Sequence, residues 1–185
     1  MNAAGSVGSD DSIRLFCALT LPDNVLDRLV EWQAGLSAGE YRLVRRENLH
    51  ITLAFLGSRP TREVQPILAE LQATADGTRP IVLREHRYRE TRSVGMLVFD
   101  DEDGAAGELA RDLHERLRGL GVYEPERRPW LPHLTIARFR ERPRLTPSLP
   151  GLGPVVPSGA AVYHSVLRRT GAEYVVLHAV ALCCL

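Results

Sequence analysis

Apolar residues recur along this chain in two rhythms, one unbroken or of period two, the other spaced by threes and fours. The run IRLFCALTL (13–21) reads as a mostly buried strand. Pro22 then opens a helix whose Val25, Leu26, Leu29 and Val30 form one stripe. After Gly39, YRLV (41–44) predicts a short strand and LHITLAFLG (49–57) a longer one, closed by Gly57. Thr61 is placed to N-cap a second helix, with Val64, Ile67, Leu68 and Leu71 at helical spacing. PIVLREHRYRE (80–90) and SVGMLVFD (93–100) predict an antiparallel pair turning near Thr91–Arg92. DDEDG leads into a third helix with Leu109, Leu113, Leu117 and Leu120 along one side. A strand follows at 133–140, and the Pro/Gly-rich stretch 143–159 predicts no regular structure. AVYHSVLRR (161–169) and EYVVLHAVAL (173–182) close the chain as strands joined at Thr170–Gly171. Mixed helices and strands joined by hairpins predict an α+β fold with a mainly antiparallel sheet.

Composition narrows the choice. At 185 residues, with 44% hydrophobic and 25% charged residues, one body with a real core is expected. The segment 1–12 lacks a basic region and an apolar run, and reads as a disordered leader before a single domain at 13–185. No apolar run is long enough to span a membrane. Cys17, Cys183 and Cys184 make neither a disulfide framework nor a zinc spacing, so a soluble, cytoplasmic protein is expected. Formal net charge is zero, which argues against coating nucleic acid by bulk electrostatics. All 23 basic residues are arginine. Schiff-base, P-loop and lysyl-nucleotide chemistry are thereby excluded.

Chemistry enters with a repeat. ENLHITLAFLG (47–57) and LPHLTIARF (131–139) each carry His-x-Thr followed by an apolar residue, near the middle of each half of the chain. Strand alternation sets His50 and Thr52 on one face, roughly 7 Å apart, and His133 and Thr135 likewise. One such triplet is most simply packing, but two can place paired imidazoles around one point. One imidazole can then take a proton while the other gives one, without a metal, and the threonine hydroxyls can donate to phosphate oxygens. Neither motif offers a third metal ligand on its His-Thr face, so no metal and no cofactor are expected. His86, His114, His164 and His178 are weaker candidates.

RLFCALTLP, the two His-x-Thr stretches and the ending GAEYVVL together resemble the two-histidine phosphoesterase superfamily. The likeness is strongest to its RNA 2′,3′-cyclic phosphodiesterases, also called 2′-5′ RNA ligases. It covers residues 13–182 in the family's order. It implies two pseudo-symmetric lobes of mainly antiparallel sheet with outer helices around a central cleft, and metal-independent opening of RNA 2′,3′-cyclic phosphates to 2′-phosphomonoesters. Weak reverse 2′-5′ ligation is also implied. By position, the resemblance makes His50 the proton donor, His133 the proton acceptor, Thr52 and Thr135 phosphate holders and Arg138 a phosphate ligand. Strand phase alone sets Arg138 on the face opposite His133, so a bend is needed to bring it round. Where family members often carry an aromatic, as in RWVRPENLH, this chain has RLVRRENLH with Leu43 and Arg46. Trp130 is a candidate base-stacking residue, and Arg45, Arg46, Arg127 and Arg128 a candidate basic rim. The expected partner is RNA with a 2′,3′-cyclic end, acted on by a monomer. A 2′-5′ oligonucleotide or small cyclic nucleotide as substrate, and a non-catalytic RNA-end-binding module, remain open.

Overall fold

The computed structural model describes residues 11–36, 39–169 and 171–182. Residues 1–10 of the expected leader lie outside that range, as do Thr170, Cys183 and Cys184. The elements run β1 (Ser12–Thr20), α1 (Asp23–Ala34), β2 (Tyr41–Leu43), β3 (Ile51–Pro60), α2 (Val64–Asp76), β4 (Leu83–Glu90) and β5 (Val94–Asp100). Then come α3 (Ala105–Gly119), β6 (His133–Phe139), β7 (Pro154–Val155), β8 (Gly159–Arg168) and β9 (Gly171–Val180). Ser12, placed in the leader by composition, already belongs to β1.

All strand pairs are antiparallel, in the order β7-β4-β5-β6-β3-β1-β8-β9 with β2 added beside β6. The sheet is really two lobes. One holds β2 and β4 to β7, the other β1, β3, β8 and β9, and among the described residues their strands pair at one β3–β6 position, Ile51 with Leu134. Beyond that pair the strands part, which opens a cleft. Helices α2 and α3 pack on each other and on the second lobe, while α1 faces the first, where Trp32 meets Tyr88 edge-on. One continuous core runs through both lobes, with Leu29, Ile51, Leu71, Leu97, Leu113 and Leu134 fully buried. A second, smaller cluster of Phe16, Ala18, Ala161 and Tyr163 lies on the other face of β1 and β8. This explains why the first strand reads as apolar without alternation: both of its faces are covered. Cys17 is fully buried and its thiol is pushed up to about 12 by desolvation.

Several boundaries differ from the pattern reading. β3 does not stop at Gly57 but runs on to Pro60, because Gly57 takes φ +70° at a bulge opposite Leu15. Thr61 caps no helix. It begins a 3₁₀ turn whose backbone N–H bonds Asp11 O, and α2 starts at Val64. α3 ends at Gly119, leaving Leu120 half-exposed. Stretch 143–159 is irregular except for β7 and the start of β8, yet it is fastened. Glu90, with a side chain only 2% exposed, accepts hydrogen bonds from Arg144 N, Leu145 N and Arg142 Nε. Trp32 Nε1 donates to Ser148 O at 2.8 Å, and Arg28 donates to Leu152 O and Gly151 O. No helix among the described residues is long and apolar enough to cross a membrane.

Candidate active site

The Ile51–Leu134 pair fixes the register of both motifs. Ile51 and Leu134 are fully buried, so their neighbours point the other way, into the cleft. Extending the antiparallel register puts His50 beside Thr135 and Thr52 beside His133. The result is a quartet with a local two-fold axis: histidines on one diagonal, threonines on the other. His50 lies one residue ahead of β3, not inside it.

Both imidazoles are held alike. His50 Nδ1 lies 2.8 Å from Asn48 O and His133 Nδ1 2.8 Å from Leu131 O. A carbonyl can only accept, so each neutral ring keeps its proton on Nδ1 and turns a bare Nε2 to the cleft. Their surroundings differ. His50 is packed by Phe16, Tyr174 and Tyr163, with ring centroids at 4.8, 5.3 and 5.8 Å. Burial lowers its pKa to about 4; the bond to Asn48 opposes this, while Arg138 and His133 add to it by repulsion.

Both strands bulge immediately after the threonine. In β3, Thr52 pairs with Ala18 and Ala54 with Cys17, leaving Leu53 over; in β6, Thr135 pairs with Met96 and Ala137 with Gly95, leaving Ile136 over. The extra residue resets the alternation, so Leu53 and Ala54 are both buried, as are Ile136 and Ala137. Arg138 thereby returns to the cleft face, which is the bend its phase demanded. Phe55, 62% exposed, holds the matching place on the other strand and lines a cavity with Thr52 and His133. A helix side chain braces the carbonyl of each extra residue, and Ile136 O also accepts from Val44 N at 2.8 Å. His114 Nε2 meets Leu53 O at 2.7 Å, and Gln33 Nε2 donates to Ile136 O at 3.0 Å.

The quartet opens on two sides. A cavity of about 1260 Å³ is lined by Thr52, Phe55, His133, Trp130 and Arg128 among others, and a recess of about 340 Å³ by Thr135, Arg138, Asn48 and Tyr174 with further arginines. Trp130 lines the larger cavity but spends its indole N–H on Thr52 O at 2.9 Å, so it also splints β3. Arg46 is not a cleft residue. Asp23 and Asp27 of α1 hold it at 2.7 and 2.8 Å, because the turn before β3 packs on that helix. Arg45 reaches the recess, whereas Arg127 lines neither space. His86 pairs with Asp100 at 2.9 Å, and His164 faces away from His50 on the side of Leu15. Among the described residues no group of three His, Cys, Asp or Glu side chains could hold a metal ion.

Three roles in this arrangement escape the sequence reading: those of Phe55, of Gln33 and of His114, which enters there only as a weak catalytic candidate. The first two left a trace. HITLAF and HLTIAR match at His, Thr and Ala, which aligns Phe55 with Arg138, and Gln33 continues the apolar spacing of Val25 and Leu29. His114 left none, being 61 residues from its partner.

A family model described as LigT-like phosphoesterase matches residues 19–90. The RNA 2′,3′-cyclic phosphodiesterase of Thermus thermophilus is 33% identical over 175 residues, covering 89% of this chain and 88% of that protein. The protein of the same name from Aeropyrum pernix is 32% identical, over 75% of this chain and 85% of its own. The crystal structure of the Thermus thermophilus protein TT0787 superposes with a TM-score of 0.75 at 29% identity, covering 92% of this chain and 98% of that one.

Proposed function

The chain belongs to the LigT-like phosphoesterase family, and from that premise we infer that it hydrolyses 2′,3′-cyclic phosphodiesters at RNA ends to 2′-phosphomonoesters, with two imidazoles and no metal. The enzyme is a cyclic phosphodiester hydrolase. The observation that carries the mechanism is the quartet's alternation of histidine and threonine around one point.

A cyclic phosphate centred there receives a hydroxyl donor at each end of the Thr52–Thr135 diagonal, one for each non-bridging oxygen. The histidine diagonal lies across it, along the line of attack. His133 Nε2 takes a proton from water, the water oxygen bonds to phosphorus, the P–O3′ bond breaks, and His50 Nε2 returns a proton to O3′. Water is thus added across one P–O bond, and the enzyme ends one proton transfer away from its starting form. Arg138 meets the charge that builds on the phosphoryl oxygens. His50 is neutral near neutral pH by its surroundings alone, so its donor role requires the phosphate anion to draw a proton onto it. Run backwards with a 5′-hydroxyl in place of water, the same steps join RNA ends by a 2′-5′ linkage. Water is in vast excess, so ligation is expected to be weak unless the second end is held nearby.

The test is phosphorus NMR of a short RNA bearing a 2′,3′-cyclic phosphate, incubated with purified protein and EDTA. Appearance of the 2′-monophosphate is expected, with turnover lower by roughly 10²–10⁴-fold in His50→Ala or His133→Ala. Near-full activity of either variant, or dependence on added metal, would sink the mechanism.

A further inference from the structure

Arg42 stands directly opposite Arg138 in the β2–β6 pairing, so both side chains leave the sheet on one face. Like charges so placed destabilise a sheet. Both line the 340 Å³ recess that runs on from the quartet through Thr135, Asn48 and Tyr174. Two further arginines of the recess sit beside carboxylates: Arg168 lies 2.9 Å from Glu173, and Arg45 4.0 Å from Glu47. Arg138 has no carboxylate at ion-pair distance among the described residues, and it repels a proton on His50, so it belongs to the reacting phosphate. Arg42 is one strand farther out. Its guanidinium lies over Gly171 at the head of β9, where a Cβ would come within 2.9 Å of Nη1. Two guanidinium groups side by side, one at the reacting centre and one beyond it, suit a ligand with two phosphates.

In a nucleoside 2′,3′-cyclic phosphate the ring consumes O2′ and O3′, so O5′ is the one ribose oxygen left to carry a second phosphate. We propose that Arg42 binds the phosphate on O5′ of the cyclic nucleotide, and so selects substrates extended on that side over bare nucleoside 2′,3′-cyclic phosphates. This rests on the hydrolase reading. The second phosphate can be the diester of an RNA chain or the monoester of a small nucleotide, since both present the same anion.

Steady-state kcat/KM on adenosine 2′,3′-cyclic phosphate, its 5′-phosphorylated form and the dinucleotide ApA 2′,3′-cyclic phosphate separates these cases. The wild-type protein is expected to favour at least one 5′-phosphorylated substrate by about tenfold or more. A preference for the dinucleotide points to RNA, and one for the monoester to a small nucleotide. Arg42→Ala should erase the preference and Arg42→Lys restore part of it, with thermal unfolding confirming that both variants are folded. No preference in wild type, or an equal loss on all three substrates in Arg42→Ala, overturns the proposal. Failure to turn over any of the three would sink the hydrolase reading instead. Calorimetry with adenosine 2′,5′-bisphosphate against 2′-AMP then still decides for Arg42: an Arg42-dependent gain supports it, and none refutes it.

Discussion

His50 sits among Phe16, Tyr163 and Tyr174 with its pKa lowered to about 4, and a measurable pH dependence follows. The unfolded chain takes a proton on this residue near 6.5, so the native state gains nothing from protonation until pH falls much further. Stability from this group is therefore complete above about 6.5 and is lost progressively down to about 4, by up to about 3 kcal/mol. Urea titrations across that window should show the slope, and His50→Asn should flatten it. In turnover a proton donor governs the alkaline limb, so that limb of kcat/KM is expected to begin near 4 and that of kcat higher, since a bound phosphate anion favours the imidazolium. Histidine NMR with 2′-AMP checks the role: a His50 pKa that stays near 4 with the anion bound would remove it as proton donor. The two histidines and two threonines were legible because a repeated triplet survives any error in element boundaries. The aromatic packing of His50 was not, because Phe16, Tyr163 and Tyr174 come from three strands, one of them far from the others in the chain.

At the scale of elements, the paired bulges carry most of the site's design. They turn Arg138 and Phe55 toward the cleft, and His114 and Gln33 brace them at the carbonyls of Leu53 and Ile136. Removing either side chain takes one hydrogen bond from a bulge carbonyl, worth about 0.5–1.5 kcal/mol, and Ile136 O then keeps only its bond from Val44 N. Gln33→Leu is expected to raise KM more than it lowers kcat, because it loosens the strand that presents Arg138 without touching the imidazoles. His114→Phe should act on the Phe55 side instead. Unchanged kinetics in both, with only thermal stability lowered, would make the bulges scaffolding and nothing more. Helices and most strands could be read from periodicity, including α1 and α3. The bulges could not, since strict alternation is the assumption behind a strand reading. Gly57 looked like a terminator for the same reason, though its positive φ serves a bulge within the strand.

At the scale of the whole molecule, the two lobes are not two segments. β1 belongs to one lobe and α1 to the other, β3 returns to the lobe of β1, and β4, α3, β6 and β8 continue the exchange. Neither lobe can close before the other is present, and one core runs through both. A single cooperative transition is expected, with the tryptophan fluorescence of Trp32 and Trp130 and far-UV circular dichroism melting together. Separate midpoints would show lobes that unfold independently. Folding should be slow for the size, given how many contacts join distant segments. The two-fold axis of the quartet has a last consequence. Turned half a revolution, histidine falls on histidine and threonine on threonine, like a palindrome whose letters match while the aromatic packing around His50 does not. If the proposed mechanism holds, the mismatched pair at the margins, Phe55 on one side and Arg138 on the other, joins the packing of His50 in telling a substrate which way round to lie. Exchanging them, Phe55→Arg with Arg138→Phe, should therefore blur which ribose oxygen is released, and the product should shift from 2′-monophosphate toward a mixture with the 3′ isomer.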